Sequence, residues 1–252
     1  MLAIERRREI LTRLGSDGKV IVSELARDFD VTEETIRRDL ERLDREGLVS
    51  KTYGGAVSKQ NTGLDLPYNI RETVNVERKR AIADKVEALI RDGDRIMLDS
   101  SSTALYVVKK LKHKRNLTVI TNSVKILIEL ADRSDWTVLS TGGVLKKSGL
   151  SLTGSSAEKM INSYHVQVAI CSCRGLDMEL GVTDSNESDS LIKQAMFASA
   201  ERRILAVDTT KFDAKSFVRV CDLREIDVLV TEAAPPDPWQ SYCGDKNIQL
   251  IY

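Results

Sequence analysis

KVIVSELARDFDVTEETIRRDLERLDREGLVSKTYGGAV, residues 19–57, decides the fold at the start of this chain. Ser23 and Thr32 are good helix N-caps, and each precedes an amphipathic run. The apolar positions of the two runs recur at helical spacing and are Leu25, Ala26, Phe29, Ile36, Leu40 and Leu43. Gly47 ends the second run, and Leu48–Val57 places two β-prone arms around a glycine pair. The stretch therefore predicts two helices followed by a β-hairpin.

A further helical pattern precedes this stretch. The apolar residues of Ile4–Leu14 are spaced for one helix face, and the tetrapeptide GSDG stops the segment. Three short helices and a hairpin are the parts of a winged helix-turn-helix, which we predict for residues 1–57. Residues 58–76 lose periodicity and contain a glycine and Pro67, so we predict a linker there.

From Val76 onward, helical patterns alternate with short β-branched runs. We predict helices at 78–91, 103–111, 123–131 and 189–200. We predict strands at 95–98, 117–121, 136–140, 166–171, 203–207, 226–231 and 248–252. Such alternation is typical of a mostly parallel sheet flanked by helices. The chain is therefore predicted to be α/β, with residues 77–252 forming the second domain.

Composition narrows the class of protein without naming a partner. The 252 residues are 42% hydrophobic and 30% charged, which is typical of a globular protein. The net charge is zero, and the first 60 residues carry twelve basic and twelve acidic side chains, so bulk charge does not support nucleic-acid binding. No apolar stretch approaches the ~18 residues of a membrane span, so we expect a cytoplasmic protein without membrane contact. The cysteines and histidines show no zinc-type spacing, and we expect neither a metal nor a cofactor.

The third predicted helix carries side chains suited to DNA. At about 100° per residue, Thr35, Arg37 and Arg38 lie in its outward N-terminal turns, away from the apolar stripe. The second helix of a helix-turn-helix enters the major groove, where arginine binds guanine or phosphate. The hairpin adds three candidate DNA contacts, namely Lys51, Tyr53 and Gly54. We therefore predict a nucleic-acid interface on this helix and hairpin.

The same pattern also allows a purely structural interpretation. Glu34–Arg38 and Glu41–Arg45 are i,i+4 pairs of the kind that stabilise a solvated helix. A salt-bridged three-helix bundle, or a module that binds protein instead of DNA, would show the same charges. Replacing Arg37 and Arg38 would discriminate between these alternatives.

Polar turns follow several of the predicted strands. DSSST, residues 99–103, leads into a helix, and its hydroxyls and amide N–H groups suit an anion such as phosphate. TNS at 121–123 and TGG at 141–143 stand at equivalent strand ends, where open α/β sheets bind ligands. The candidate effector-binding residues in these turns are Asp99, Ser100, Ser101, Ser102, Thr103, Thr121, Asn122, Gly142 and Gly143. Each turn taken alone is equally explained by helix capping or turn chemistry.

Charged residues in three later segments extend the candidate effector site. SCRGLD contains Arg174, GVTDSNE leads from Glu187 into a helix with Lys193, and DTTKF contains Lys211. A guanidinium cannot act as a base at neutral pH, so Arg174 suggests an additional contact to an anion. The alternative is a salt bridge from Arg174 to one of three acidic residues: Asp177, Asp184 or Glu187.

The stretch from Lys19 to Val57 looks like the DeoR-type winged helix, and the match covers residues 1–57. TIRRDL followed by the glycine-pair wing is the most specific part of this resemblance. It implies DNA binding by Thr32, Thr35, Arg37 and Arg38. Tyr53 departs from the family pattern, which often has histidine at this position. The resemblance therefore specifies the DNA contacts of the wing less closely than those of the helix.

Residues 75–232 resemble the C-terminal sensor domain of the same family. The motifs that carry the resemblance are DSSST, TNS, TGG, RGLD, GVTDSNE with Lys193, and DTTKF. The resemblance implies a fold similar to ribose-5-phosphate isomerase and an effector that is a phosphorylated sugar or related metabolite. Arg174 departs from the family, where a GADG-like sequence often places an aspartate. This departure weakens the alternative of an isomerase, which needs carboxylates to move protons.

Together, the two resemblances imply a DNA-binding transcriptional regulator. We expect a repressor of a carbohydrate-metabolism operon whose affinity for operator DNA changes when a phosphorylated sugar binds. A two-fold operator implies at least a homodimer, or a homotetramer. The competing interpretation is a sugar-phosphate isomerase-like enzyme that carries an accessory DNA-binding module.

Overall fold

The computed structural model describes residues 1–58 and 67–252, which divide into two compact units, Met1–Val76 and Glu77–Tyr252. Within the described ranges, no helix has the length and apolar character that crossing a membrane requires. Each unit has its own hydrophobic core. The two units are therefore described separately.

The first unit contains three helices and a small antiparallel sheet. Its elements are α1 (Ala3–Asp17), β1 (Lys19–Ile21), α2 (Val22–Phe29), α3 (Glu33–Arg45), β2 (Val49–Thr52), β3 (Gly55–Ser58) and α4 (Tyr68–Thr73). The strand order is β1-β3-β2, with both neighbouring pairs antiparallel. This arrangement confirms the predicted winged helix-turn-helix, and β1 adds a third strand to the wing.

The start of α2 differs from the sequence prediction. Ser23 was expected to be the N-cap, but the helix begins at Val22 and Ile21 is the N-cap without a side-chain hydrogen bond. The Val22 N–H donates instead to the Gly54 carbonyl at 2.9 Å. The wing backbone thus accepts a hydrogen bond from the first N–H of α2, because β1 runs directly into α2.

The glycine pair of the wing has a structural explanation. Gly54 has φ +80°, in the left-handed region that favours glycine. A Cβ atom on Gly55 would lie 2.1 Å from the Val20 carbonyl oxygen, which leaves no room for a side chain. Gly55 is therefore required for this packing and glycine is favoured at position 54, whatever the two residues contact.

The segment predicted as a linker contains a helix in its described part. Ile70 and Val74, in and just after α4, are buried in the same cluster as the apolar faces of α1, α2 and α3. Residues 59–66 of the predicted linker lie outside the described residues. The periodicity of α4 escaped the sequence analysis because six residues hold fewer than two helical turns.

The second unit is built on a seven-stranded parallel sheet. Its helices are α5 (Val76–Glu87), α6 (Ser102–Lys110), α7 (Val124–Glu129), α8 (Ser155–Asn162), α9 (Glu187–Ala198) and α10 (Asp237–Asp245). The strands of the large sheet are β4 (Arg95–Leu98), β5 (Thr118–Thr121), β6 (Thr137–Ser140), β9 (Val166–Cys171), β12 (Ala200–Ala206), β14 (Val228–Val230) and β15 (Gln249–Ile251). All neighbouring pairs are parallel, in the order β15-β14-β12-β9-β4-β5-β6. The predicted α/β class and parallel sheet are confirmed.

Two small antiparallel sheets accompany the large one and were not predicted as such. They are formed by β7 (Val144–Lys146) with β8 (Ser151–Thr153), and by β10 (Gly175–Asp177), β11 (Gly181–Asp184) and β13 (Val218–Cys221). Each of these strands has three or four residues, too few for alternation of apolar and polar residues to stand out. Helices α8 and α10 were missed as well.

Candidate effector site and nucleic-acid interface

The carboxyl ends of β4 and β9 mark the place in the large sheet where a ligand is expected. These strands are neighbours, although β5 and β6 come between them in the sequence and lie on the far side of β4. The strand order therefore reverses direction between β4 and β9. Open α/β sheets bind ligands in the crevice at such a topological switch point.

Asp99 ties the two strand ends together at this point. Its side chain is 1% exposed, and its Oδ1 accepts a hydrogen bond from the Ser101 N–H at 3.0 Å. Its Oδ2 accepts one from the Ser172 N–H, also at 3.0 Å. The Lys193 ammonium lies 3.4 Å from the same oxygen. Asp99 thus holds the turn after β4 against the turn after β9.

Lys193 links α9 to this buried carboxylate and to a second one. Its ammonium donates to Asp184 Oδ2, and both side chains are almost completely buried. Burial opposes the charge on Lys193, but Asp184 and Asp99 outweigh it and hold the pKa of Lys193 above its usual range. Burial would raise the pKa of Asp184, but Lys193 and Arg174 outweigh it and lower that pKa. Lys193 is therefore a cation neutralised inside the protein.

Arg174 is placed beside two acidic residues. Burial lowers the pKa of its guanidinium, and the carboxylates of Asp184 and Asp189 oppose that shift. Of the three salt-bridge partners considered from sequence, Asp184 is therefore the one whose charge acts on Arg174. Asp177 is engaged elsewhere, with Lys215 at 3.3 Å and with the N–H groups of the turn after β10.

Asp189 is a residue of this region that the sequence analysis left out of the candidate site. Its carboxylate accepts from Lys146 Nζ at 2.7 Å, Ser151 Oγ at 3.3 Å and Asn186 Nδ2 at 2.7 Å. Glu187, which was included, is exposed in the first turn of α9 and is not part of this cluster. The i,i+4 spacing of Asp189 and Lys193 on one helix face was the available signal.

The N-terminus of α6 offers polar groups without partners. Ser101 is the N-cap, and its Oγ accepts from the Ala104 N–H at 3.0 Å. Across residues 1–58 and 67–252, no acceptor faces the amide N–H groups of Ser102 and Thr103. Their hydroxyls also make no hydrogen bond within these ranges, although both residues are mostly buried. This turn therefore has the hydrogen-bond donors and the helix dipole that an anion needs.

Thr121 and Asn122 continue the same edge after β5. Thr121 is fully buried, and its Oγ1 donates to the Leu98 carbonyl at 2.7 Å and accepts from the Ser123 N–H at 3.1 Å. Asn122 donates through Nδ2 to the Leu152 carbonyl at 3.1 Å. Its Oδ1 is buried and accepts no hydrogen bond in the part of the chain that the structure describes. Thr121 thus has a structural role, whereas Asn122 retains a free acceptor.

The remaining candidates separate into two groups. Gly142 and Gly143 have positive φ values of 63° and 104°, and a Cβ on Gly143 would lie 2.5 Å from the Thr153 carbonyl oxygen. Their presence is explained by the turn between β6 and β7. Lys211 is partly exposed, and its charge acts on Asp208 and on the thiol of Cys173. Lys211 therefore acts electrostatically on Cys173, the residue next to Arg174.

The buried carboxylates of this region make the second unit sensitive to acid. The pKa values of Asp184, Asp189 and Asp208 are each held below 3.8, because nearby cations and hydrogen bonds outweigh burial. A depressed folded-state pKa contributes stability that is complete above the unfolded value and is lost as the pH falls through the folded one. We expect the melting temperature of the full chain to be level from pH 7 to 5 and to fall steeply below about pH 4.

Thermal unfolding between pH 7 and 3, followed by circular dichroism, checks this expectation. The Asp208→Asn variant should show a shallower decline, because one depressed carboxylate is removed. A melting temperature that rises on acidification, or an unchanged slope in the variant, would contradict the assignment.

The outward face of α3 presents the predicted DNA-contacting arginines. Thr32 is the N-cap, with its Oγ1 accepting from the Thr35 N–H at 3.3 Å and lying 3.0 Å from Thr35 Oγ1. The arginines are 53% and 76% exposed in their side chains and pair with glutamates one turn earlier, Arg37 with Glu33 at 2.5 Å and Arg38 with Glu34 at 3.3 Å. Exposed pairs of this kind contribute only about 0–1 kcal/mol, so phosphate can displace the glutamates at little cost.

A buried ion pair fixes α3 in the first unit. Asp39, on the inner face of α3, accepts from Arg6 Nε at 2.5 Å and lies 3.4 Å from Arg7 Nη1. Arg6 and Asp39 are almost completely buried. Arg6 and Asp39 could be recognised in the sequence only as charges, because their spacing of 33 positions gives no local signal.

The wing presents its tip to solvent. Tyr53 is fully exposed, and Lys51 pairs with Glu41 of α3 at 3.1 Å. The Gly54 carbonyl accepts a hydrogen bond from the Val22 N–H at the start of α2. The structure thus leaves Tyr53 and the Lys51 side chain available at the surface next to the exposed face of α3.

Comparison with known proteins agrees with both units. A family described as a DeoR-like helix-turn-helix domain matches residues 6–62, and the DeoR C terminal sensor domain matches residues 74–233. The chain belongs to the DeoR family of transcriptional regulators. The family predicted from the sequence is confirmed, and this DeoR-family regulator has the two domains that the family combines.

Curated relatives resemble this DeoR-family regulator along its whole length. The HTH-type transcriptional regulator YulB of Bacillus subtilis is 41% identical, and the alignment covers 99% of this chain and 96% of YulB. The L-fucose operon activator of Haemophilus influenzae is 34% identical, and the alignment covers 96% of this chain and 97% of the activator. The transcriptional repressor GlcR of Bacillus subtilis is 32% identical, and the alignment covers 98% of this chain and 95% of GlcR. All three are named as regulators of transcription, and the alternative of an isomerase-like enzyme has no support among them.

Solved structures give a weaker comparison. Ribose 5-phosphate isomerase A of Methanocaldococcus jannaschii aligns with 55% of each chain at 16% identity and a TM-score of 0.40. A likeness of this size carries no argument about function.

Proposed function

We propose that this DeoR-family regulator represses a carbohydrate-metabolism operon and that a phosphorylated sugar controls its affinity for operator DNA. The observation that carries the proposal is the N-terminus of α6, at the topological switch point of the sheet. There the amide N–H groups and hydroxyls of Ser102 and Thr103 have no hydrogen-bond partner among residues 1–58 and 67–252. A phosphate accepts several hydrogen bonds and is favoured by the positive end of the helix dipole. The relative named as an L-fucose operon activator supports the class of operon but has the opposite sign, whereas GlcR, named as a repressor, supports repression.

The rest of the site is suited to a polar sugar instead of a second strong anion. Lys193 and Arg174 are already offset by Asp99, Asp184 and Asp189, so their charges are largely neutralised within the protein. The buried Oδ1 of Asn122 is an acceptor without a donor in the described residues, which suits a sugar hydroxyl. Lys211 is partly exposed, and we propose it as the cation that pairs with the phosphate.

A thermal-shift panel of phosphorylated sugars tests the effector. We expect one class of sugar phosphate to raise the melting temperature with concentration, following RT ln(1 + [L]/Kd), and inorganic phosphate to do so more weakly. The Ser102→Asp variant should lose this response, since a carboxylate at the helix N-terminus occupies the anion position without destabilising α6.

Glu187→Gln is the matched control, because Glu187 lies in the first turn of α9, is exposed and makes no contact in the buried cluster. It should respond as the wild type does. If Ser102→Asp responds equally well, the phosphate site lies elsewhere. If no sugar phosphate shifts the wild type, the proposed effector class is wrong.

Control of DNA binding requires the two sites to be coupled. We propose that effector and operator weaken each other reciprocally, by about 1–3 kcal/mol, or roughly 5–150-fold in affinity. A homodimer would place two copies of α3 on the two halves of a two-fold operator. Operator titrations with and without the sugar phosphate identified in the panel measure this coupling and its sign.

A further inference from the structure

One strand of the sensor domain has a free edge. In the β7–β8 hairpin, Leu145 lies opposite Leu152. The outer edge of β8 is covered, because the Leu152 N–H donates to the Asn122 carbonyl at 2.7 Å and the Val124 N–H donates to the Leu150 carbonyl at 3.0 Å. No strand of the described ranges pairs with the outer edge of β7.

The backbone of Leu145 points out of the hairpin at this edge. Leu152 turns its N–H away from β7, so Leu145 and Leu152 form a non-hydrogen-bonded pair of the antiparallel ladder. In such a pair both backbones direct their N–H and C=O groups away from each other. The N–H and C=O of Leu145 are therefore available to another strand.

The side chains of β7 do not guard the edge. Val144 is 72% exposed and Leu145 is 48% exposed, which makes this a short apolar edge strand. Lysine commonly protects such edges. Here Lys146 is instead drawn inward to Asp189, at 2.7 Å, and is only 25% exposed in its side chain. An unpaired apolar edge of this kind is a template for association with another strand.

We propose that β7 pairs with β7 of a second copy of this chain, antiparallel across a two-fold axis at Leu145. The two leucines would then exchange both backbone hydrogen bonds, and the hairpins would form one four-stranded sheet. A second copy as the occupant rests on the proposed function, since a winged helix on a two-fold operator requires a dimer. A contact of one strand with itself is isologous and closes after two copies.

The charges of β7 fit this register. Val144 would lie opposite Lys146 of the second copy, whose charge is already met by Asp189 of its own chain. Gly143 would lie opposite Lys147 of the second copy. No two like charges face each other directly across the axis, which antiparallel pairing requires. A shift of register by two residues would instead place Lys146 opposite Lys146.

Sedimentation velocity of the full chain tests the proposal with a charge-swap pair. Leu145→Glu and Leu145→Lys, each alone, place like charges opposite each other and should weaken the dimer by about tenfold or more. Mixed in equal amounts, the two variants should recover a heterodimer, because only a two-fold contact sets position 145 against itself. Ile128→Glu is the matched control, since Ile128 is 67% exposed on α7. It should remain dimeric like the wild type.

Each contrary result overturns a defined part of the proposal. If the wild type is monomeric, there is no dimer for β7 to make. If either Leu145 variant remains as dimeric as the wild type, the interface lies elsewhere. If both Leu145 variants are monomeric and their mixture forms no heterodimer, Leu145 does not pair with itself across a two-fold axis. A failure to bind any sugar phosphate would leave these sedimentation results unchanged, so the two proposals fail separately.

Discussion

Replacing Arg37 and Arg38 together with alanine is expected to lower affinity for operator DNA by about 100-fold or more. Each arginine projects from the exposed N-terminal half of α3 and pairs with an exposed glutamate. Loss of a base contact costs about 1–3 kcal/mol, and loss of a phosphate contact also reduces the salt dependence of binding. Fluorescence anisotropy on a duplex that the wild type selects from a random-sequence library, at several salt concentrations, measures both quantities.

Arg42 and Arg45 supply the matched control for that experiment. They lie in the C-terminal half of the same helix, where a recognition helix leaves the groove. The double alanine variant at these positions removes the same charge and should retain affinity within about threefold, which is below 1 kcal/mol. If the Arg37 and Arg38 variant keeps full, salt-sensitive affinity, α3 does not contact DNA through these residues.

Replacing Lys193 with methionine is expected to cost the full chain about 3–5 kcal/mol in the free energy of unfolding. The ammonium lies between the carboxylates of Asp184 and Asp99, and all three groups are buried. Removing one partner of a buried ion pair leaves an uncompensated charge, which costs more than the pair itself contributes. Chemical denaturation followed by tryptophan fluorescence reports on the second unit, because Trp136 and Trp239 both lie there.

A second variant separates charge from packing in this experiment. Lys193→Met combined with Asp184→Asn should recover part of the lost stability, since the carboxylate that the lysine neutralised is gone. Lys146→Met removes a less buried lysine from Asp189 and should cost distinctly less. A loss below about 1 kcal/mol for Lys193→Met, the range of surface pairs, would show that the site is hydrated.

Whether a site residue could be predicted from the sequence depends on how many positions separate it from its partner. Thr32 caps α3 through a partner three residues away, and such spacing was recognised along the chain. The cap of α6 was expected at Ser102 or Thr103 and lies at Ser101. Lys193 and Asp99 are 94 positions apart, and Arg6 and Asp39 are 33 apart. Their pairing depends on strand order and helix packing, which no local pattern encodes. Lys193 was predicted as a basic residue on the helix that follows the GVTDSNE segment, whereas Asp189 and Asp39 were missed.

The sequence by itself determined the winged helix-turn-helix, the α/β class of the second unit, the parallel sheet and the family. These follow from periodicity, capping and turn residues, which depend on residues a few positions apart and are therefore visible in the sequence. Only the tertiary structure showed the burial of Lys193 between two aspartates, the place of Arg174 beside Asp184, and the free edge of β7. It also gave the glycine pair of the wing a structural reason, since Gly55 must pass close to Val20. These features arise where distant segments meet, and their energies depend on burial that is established only when the chain has folded.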